Sequence, residues 1–283
     1  MKTIRELVAA ASDRLRDAGI TTSANLDARL LAEHVLGWDT GRLLMSAGDL
    51  PSEAFAPAFD VLVARRAARE PVAYITGRKE FWNLQFEVSP AVLIPRPETE
   101  LIVEAVLDVV PLLQLFTMID ACTGCGNVAV AIAHERAGAR IVATDISEAA
   151  LEVARRNGAR YGVDGRVNFV RADLLDEVDG PVDVITANPP YVPGRSEPGL
   201  QPEVREHEPH VALFGGDEGL SLIERLVRDA PPLLRPGGHL IFEFGYGQDL
   251  EVETLLKSSP YLTLVHLKCD LQGIARTAVS RRS

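Results

Sequence analysis

From Phe116 to Asp145 the chain reads FTMIDACTGCGNVAVAIAHERAGARIVATD. Two short apolar runs, Phe116–Asp120 and Arg140–Asp145, flank a glycine turn and an alanine- and valine-rich stretch, Val128–Arg136. Short runs rich in branched residues read as strands, and the stretch between them as a helix. Strand, turn, helix and strand in this order build a parallel sheet, because parallel neighbours need a crossover. The pattern continues outward. Glu148–Tyr161 and Leu220–Leu234 read as helices; Val167–Arg171, Val182–Ala187 and His239–Phe244 read as strands. Tyr261–Leu267 and Arg276–Ser280 are placed as a late antiparallel pair. Strands that are apolar throughout need cover on both faces. The expected fold is therefore α/β, a mostly parallel twisted sheet with helices on both faces.

Upstream, the character is helical. Ile4, Leu7, Val8, Ala11, Leu15 and Ala18 recur at helical spacing, with Thr3 and Glu6 as a capping box and Gly19 as a stop. Leu26 to Leu36, closed by Gly37, and Ser52 to Arg69 predict further helices. Phe81, Trp82, Leu84, Phe86 and Val88 then bring aromatic and β-branched residues in near-alternation, which predicts a hairpin. The stiff turn Ile94-Pro95-Arg96-Pro97-Glu98-Thr99-Glu100 marks the junction. The expected division is a helical bundle over 1–75, a β-hairpin linker over 76–95 and a catalytic domain over 96–283.

Composition narrows the classes. The chain has 283 residues, 47% hydrophobic and 24% charged, enough for a core without staples. A net charge of -11 argues against general nucleic-acid binding, which needs clustered Lys and Arg. Three cysteines, Cys122, Cys125 and Cys269, do not make a disulfide framework. The first residues carry no apolar leader, and Val103–Ile119 is broken by Glu104, Asp108, Pro111 and Gln114. The six histidines show no metal-ligand spacing. The expectation is a cytoplasmic monomer with no metal, no membrane partner and no direct nucleic-acid partner.

Two motifs carry chemistry. In the turn Cys122-Thr123-Gly124-Cys125-Gly126, small residues let the backbone approach a ligand, and the following helix offers free N–H groups. Asp145, about 20 residues on, is placed for the hydroxyls of a ribose. Asp173, with Leu174, follows the third strand and is placed for an adenine amino group. Together they point to an adenosine-containing ligand, a dinucleotide or S-adenosylmethionine; the glycine spacing does not fit the dinucleotide fingerprint. The second motif is Asn188-Pro189-Pro190-Tyr191, directly after a strand. Two prolines remove two N–H donors and leave rigid carbonyl acceptors beside the Asn188 amide, a cluster suited to gripping an –NH2 group. Tyr191 can lie against a planar target.

Asn188-Pro189-Pro190-Tyr191 after the fourth strand is the signature of class I methyltransferases acting on planar nitrogens. The chain resembles most closely the release-factor glutamine methyltransferases, the HemK/PrmC family. The resemblance runs through Pro71–Gly77, Lys79–Trp82, Leu93–Glu100, Asn188–Tyr191, Glu208-Pro209, Gly215-Gly216, Pro236–Gly238, Gln248, Gly273 and Arg276. It implies a Rossmann-like methyltransferase domain behind a helical bundle and a hairpin, with S-adenosylmethionine as cofactor. It implies methylation of N5 of the glutamine in the Gly-Gly-Gln motif of class I peptide-chain release factors, with the bundle docking that protein. By this resemblance Asn188 to Tyr191 are catalytic and hold the target amide. Cys122 to Gly126, Asp145, Asp173, Leu174 and Asn188 hold the cofactor, and Arg96 and Glu100 contact the substrate. The alternatives are a glutamine methyltransferase of another protein such as a ribosomal one, a DNA adenine-N6 methyltransferase, and a degenerate non-catalytic relative.

One departure stands out. The family's first loop has Asp-Leu-Gly-x-Gly-x-Gly, and here Cys122 replaces the first glycine while Cys125 takes the small-residue position. A Cβ in that turn is expected to strain it or crowd the cofactor. A redox pair is the sharper reading of the two thiols, since a helix N-terminus lowers thiol pKa; simple packing is the preferred one.

Overall fold

The computed structural model describes residues 2–283, which pack as two compact units. The smaller comprises Met1–Arg78 and Pro202–His207, the larger Lys79–Gln201 and Glu208–Ser283. This division differs from the expected 1–75, 76–95 and 96–283: the hairpin joins the larger unit, and a distant short segment joins the bundle.

The smaller unit contains α1 (Ile4–Asp17), α2 (Ala24–Leu36), α3 (Thr40–Met45), α4 (Phe55–Ala67) and α5 (Val72–Thr76). The Thr3 hydroxyl accepts from the Glu6 N–H and the Glu6 carboxylate from the Thr3 N–H, so the capping box forms and starts α1. Gly37 ends α2 at φ 64, where a glycine pays no steric penalty. Ile4, Leu15, Leu31, Phe55, Phe59 and Val63 form the core, with Phe55 stacked on Phe59. Pro202–His207 contributes a late helix to the same unit, held by charge. Arg66 donates to Asp27 Oδ2 at 2.7 Å and to Glu203 Oε1 at 2.8 Å, and Arg69 to Glu203 Oε2 at 2.7 Å. Arg66 and Asp27 are buried, so each charge depends on the other for compensation.

The larger unit opens with the hairpin β1 (Arg78–Phe81) and β2 (Leu84–Glu87) and the helix α6 (Glu100–Val109). Then strands and helices alternate: β3 (Phe116–Ala121), α7 (Asn127–Glu135), β4 (Ala139–Asp145), α8 (Glu148–Arg160), β5 (Val167–Arg171) and β6 (Val182–Ala187). The helix of the smaller unit, α9 (Pro202–His207), intervenes before α10 (Ser221–Leu233), β7 (Leu234–Glu243), α11 (Asp249–Ser258), β8 (Leu262–Cys269) and β9 (Ala275–Arg282). The seven-stranded sheet has the order β5-β4-β3-β6-β7-β9-β8. All pairs are parallel except those of β9, which runs antiparallel to both neighbours. The expected α/β sheet with a late antiparallel pair is what forms.

Phe242, Ile185 and Leu240 are fully buried against Ile223, Leu226 and Ala230 of α10. β3 and β6 are buried almost throughout, as central strands covered on both faces must be. β7 starts at Leu234 rather than the expected His239, because Pro236-Gly237-Gly238 is absorbed as a register shift opposite Val182 and Val184. The chain leaves β3 towards β4 and β5, then returns to β6 on the other side of β3. The carboxyl ends of β3, β4 and β6 therefore flank a topological switch point, where open α/β sheets bind ligands. Among the described residues no helix is long and apolar enough to cross a membrane.

Candidate active site

The floor of the site is the turn after β3. Asp120, at the end of that strand, is buried and accepts from Thr123 Oγ1 at 2.6 Å and Thr186 Oγ1 at 2.7 Å. Burial raises its pKa to about 6 against the pull of those hydroxyls. The turn is left-handed at three places: Cys122 at φ 57, Gly124 at φ 55 and Gly126 at φ 80. Position 122 therefore has the backbone that favours glycine, and this chain places a Cβ there. Gly126 cannot be exchanged so simply. A Cβ on it would stand 3.1 Å from the Ala154 Cβ and 3.3 Å from the Phe169 ring.

Asp145 at the end of β4 is braced from both sides. Its Oδ2 accepts from the Gly124 N–H and its Oδ1 from the Ser147 N–H, each at 2.9 Å. Burial raises its pKa, opposed by those backbone donors. The two cysteines respond to the same environment. Burial pushes the Cys125 thiol up to about 12, and burial followed by the Asp145 charge pushes Cys122 well above the usual thiol value. Burial thus works against the thiolate that a helix N-terminus favours, and with both cysteines free it supports the packing reading over the redox pair.

A cavity of about 310 Å³ lies over this floor. The turn 122–125, Asp145, Asp173, Leu174, Asn188, Pro190 and Arg96 all line it. Leu174, like Cys122, is left-handed, at φ 55, and its carbonyl accepts from Thr144 Oγ1 at 2.7 Å. Asp173 is held at 3.1 Å by Arg225, a second cavity residue, which sequence reasoning missed.

Gly126, Pro189, Tyr191 and Glu100 do not line the cavity. Gly126 caps α7 instead. Glu100 has a structural partner: its carboxylate accepts from the Trp82 N–H at 2.8 Å and anchors the hairpin. Tyr191 points its hydroxyl at Glu243 Oε1, 2.8 Å away. Burial and the Glu243 charge push its pKa well up, so it remains a donor. Arg96 pairs with Glu208, whose other oxygen accepts from the Ile94 N–H at 3.1 Å, fixing the double-proline turn.

Several residues that hold the Asn188–Tyr191 loop emerge only in three dimensions. Asn188 Nδ2 donates to Thr99 Oγ1 at 3.0 Å. Gln248 Nε2 donates to the Tyr191 carbonyl at 3.1 Å, while its Oε1 accepts from the Gly245 N–H at 2.7 Å. A Cβ on Gly215 would lie 2.3 Å from the Pro190 carbonyl oxygen, and one on Gly219 2.2 Å from that of Tyr191. These glycines let the chain pass against the loop. Gly215 and Gln248 were visible in the sequence as parts of the resemblance; Thr99 lay inside a motif without a role. Glu243 carried no signal, because it reads as one polar residue closing an apolar strand.

Comparison with known proteins completes the assignment. The PrmC N-terminal domain model matches residues 6–77 and the methyltransferase small domain model residues 99–201. A release factor glutamine methyltransferase of Bradyrhizobium diazoefficiens is 42% identical, over 95% of this chain and 91% of that protein. Another, of Mycolicibacterium smegmatis, is 41% identical over 100% of this chain and 99% of that one. Among solved structures, a methyltransferase from Pyrococcus furiosus shares the fold, with a TM-score of 0.52 at 20% identity, over 77% of this chain and 96% of that one. With relatives of this similarity over nearly its whole length, and a methyltransferase sheet carrying Asn188-Pro189-Pro190-Tyr191 at its switch point, the chain belongs to the family of release factor glutamine methyltransferases.

Proposed function

We propose that this enzyme transfers a methyl group from S-adenosylmethionine to the side-chain amide nitrogen of the glutamine in the Gly-Gly-Gln motif of class I release factors. The observation that carries the reading is Asn188: it lines the cavity while its NH2 is tied to Thr99, which leaves its oxygen as the free acceptor. The residues suit the cofactor. Asp145 is an acceptor held in place by two backbone N–H groups, fit for a ribose diol. The turn residues 122–125 line the cavity, with left-handed backbone at Cys122 and Gly124. Asp173 and Leu174 line the same cavity and are assigned to the adenine. When bound, S-adenosylmethionine supplies an activated methyl on a sulfonium sulfur.

The chain's own part is placement. An amide nitrogen is a poor nucleophile because its lone pair is delocalised into the carbonyl. The side-chain oxygen of Asn188, in the cavity wall, accepts one N–H of the target amide. The carbonyl of Pro189, the next residue of the loop though not itself a lining residue, accepts the other, which turns the nitrogen lone pair towards the methyl. Two fixed acceptors favour a pyramidal nitrogen, so the geometry of attack is prepaid. The nitrogen becomes more acidic as it is methylated and loses its proton afterwards, so the step needs no strong base. Release factor is engaged by the N-terminal bundle, which presents exposed Leu44 and Met45. The net charge of -11 favours a protein substrate over DNA. The enzyme acts as a cytoplasmic monomer. The test is Asn188→Ala: turnover should be lost while S-adenosylhomocysteine still binds, and near-normal turnover would overturn the gripping role.

A further inference from the structure

An asparagine amide has an acceptor end and a donor end of nearly equal shape. In the reading above only the oxygen can receive the target amide; with the group reversed, donors would face donors. Something must hold it one way round, and the fold supplies a directed chain of protons. Glu243, the last residue of β7, is 1% exposed and accepts two hydroxyls. Thr99 Oγ1 donates to its Oε2 at 2.6 Å and the Tyr191 hydroxyl to its Oε1 at 2.8 Å. A hydroxyl has one proton. With the Thr99 proton committed to Glu243, the Thr99 oxygen can only accept. It must therefore face the Asn188 NH2, which it does at 3.0 Å, and the Asn188 oxygen is turned the other way. If that proton were released, Thr99 could donate to the Asn188 oxygen and the amide could reverse. Thr99 and Glu243 are 144 positions apart in the chain and meet through this hydrogen bond.

We propose that the Glu243 carboxylate is a positioning residue: through the Thr99 hydroxyl it fixes which end of the Asn188 amide receives the target nitrogen, and it anchors Tyr191 of the same loop. This rests on the reading of Asn188 as the acceptor for that nitrogen.

The experiment uses the full-length enzyme, labelled methyl transfer to purified release factor, and titration with S-adenosylhomocysteine. Glu243→Gln keeps the shape but offers one acceptor to two hydroxyls. Thr99→Val removes the link to Asn188, and Thr99→Ser restores it. Loss of one such bond to a charged partner predicts a fall in kcat of about tenfold or more in Glu243→Gln and Thr99→Val. The dissociation constant for S-adenosylhomocysteine and the KM for release factor should stay within about twofold. Thr99→Ser should be near wild type, and the double variant Thr99→Val with Glu243→Gln no slower than the slower single, because both break one chain. Wild-type kcat in Thr99→Val, or a Thr99→Ser enzyme as slow as Thr99→Val, would overturn the proposal even if Glu243→Gln failed to fold. Additive losses would also overturn it. Asn188→Ala separates the two layers: an active Asn188→Ala defeats the gripping reading itself, whereas an inactive one beside a fully active Thr99→Val defeats only the relay.

Discussion

Asp145→Asn isolates the residue assigned to the ribose. Each oxygen of the carboxylate already accepts one backbone N–H, from Gly124 and from Ser147, both at 2.9 Å. Each keeps a lone pair for one ribose hydroxyl. Asparagine preserves the shape but replaces one oxygen by an NH2. That NH2 must face either the Gly124 or the Ser147 N–H, so a backbone donor goes unmet and a hydroxyl loses its charged acceptor. A hydrogen bond to a charged group contributes about 1.5–3 kcal/mol, and an unsatisfied buried donor costs about 1–3 kcal/mol. The low ends together give about 2.5 kcal/mol, a loss of roughly 70-fold in affinity. Calorimetric titration with S-adenosylhomocysteine reads this directly, and thermal melting checks that the variant is folded. Acid adds a second signature. Burial raises the Asp145 pKa, so wild-type affinity should fall as pH drops through that raised value and the charge is lost, while the affinity of Asp145→Asn stays flat. A variant within threefold of wild type, or one that keeps the same loss in acid, would refute the ribose assignment.

Gly215→Ala places a Cβ 2.3 Å from the Pro190 carbonyl oxygen, so the loop must move; turnover should fall at least about tenfold with a stability loss of about 1–3 kcal/mol by urea denaturation. At Cys122, with φ 57, glycine should stay within about 1 kcal/mol of wild type, whereas Cys122→Val should lose about 1–2 kcal/mol because a β-branched residue resists that backbone. Activity should be the same in reducing and oxidising buffer. For Asp120, pKa 3.8 unfolded and about 6 folded, the folded state binds the extra proton between those values. Its stability relative to Asp120→Asn should therefore fall by about 3 kcal/mol as pH rises from 3.8 to about 6, and then level off. Leu44→Glu with Met45→Glu on the bundle should raise the KM for whole release factor and leave S-adenosylhomocysteine binding unchanged.

The parts of this molecule that were legible in its sequence are those set by local physics. β5 and β6 fall on their expected residues, Val167–Arg171 and Val182–Ala187, because short runs rich in branched apolar residues between turns have few other readings. The Thr3–Glu6 box and the Gly37 stop act through neighbours along the chain and were equally clear. What was not legible depends on distant partners. α9 spans six residues, too few for a periodic signal, and it belongs with the bundle because Glu203 meets Arg66 and Arg69. The roles of Thr99 and Glu243 arise from a contact across 144 positions. Glu100 is similar: it sits in the turn that marks the family, and its partner is the Trp82 backbone. For the two cysteines, helix position was legible and raised the redox alternative, while the burial that favours the preferred packing reading was not.

The central claim is tested most directly by incubating the purified enzyme with methyl-labelled S-adenosylmethionine and, in separate reactions, purified class I release factor and adenine-containing DNA. The release factor is then digested and the labelled peptide sequenced by mass spectrometry. The account predicts label on the glutamine of the Gly-Gly-Gln peptide, at the side-chain nitrogen, and none on DNA. Label on DNA adenine, on another residue, or on neither substrate by an enzyme that binds S-adenosylhomocysteine would contradict it.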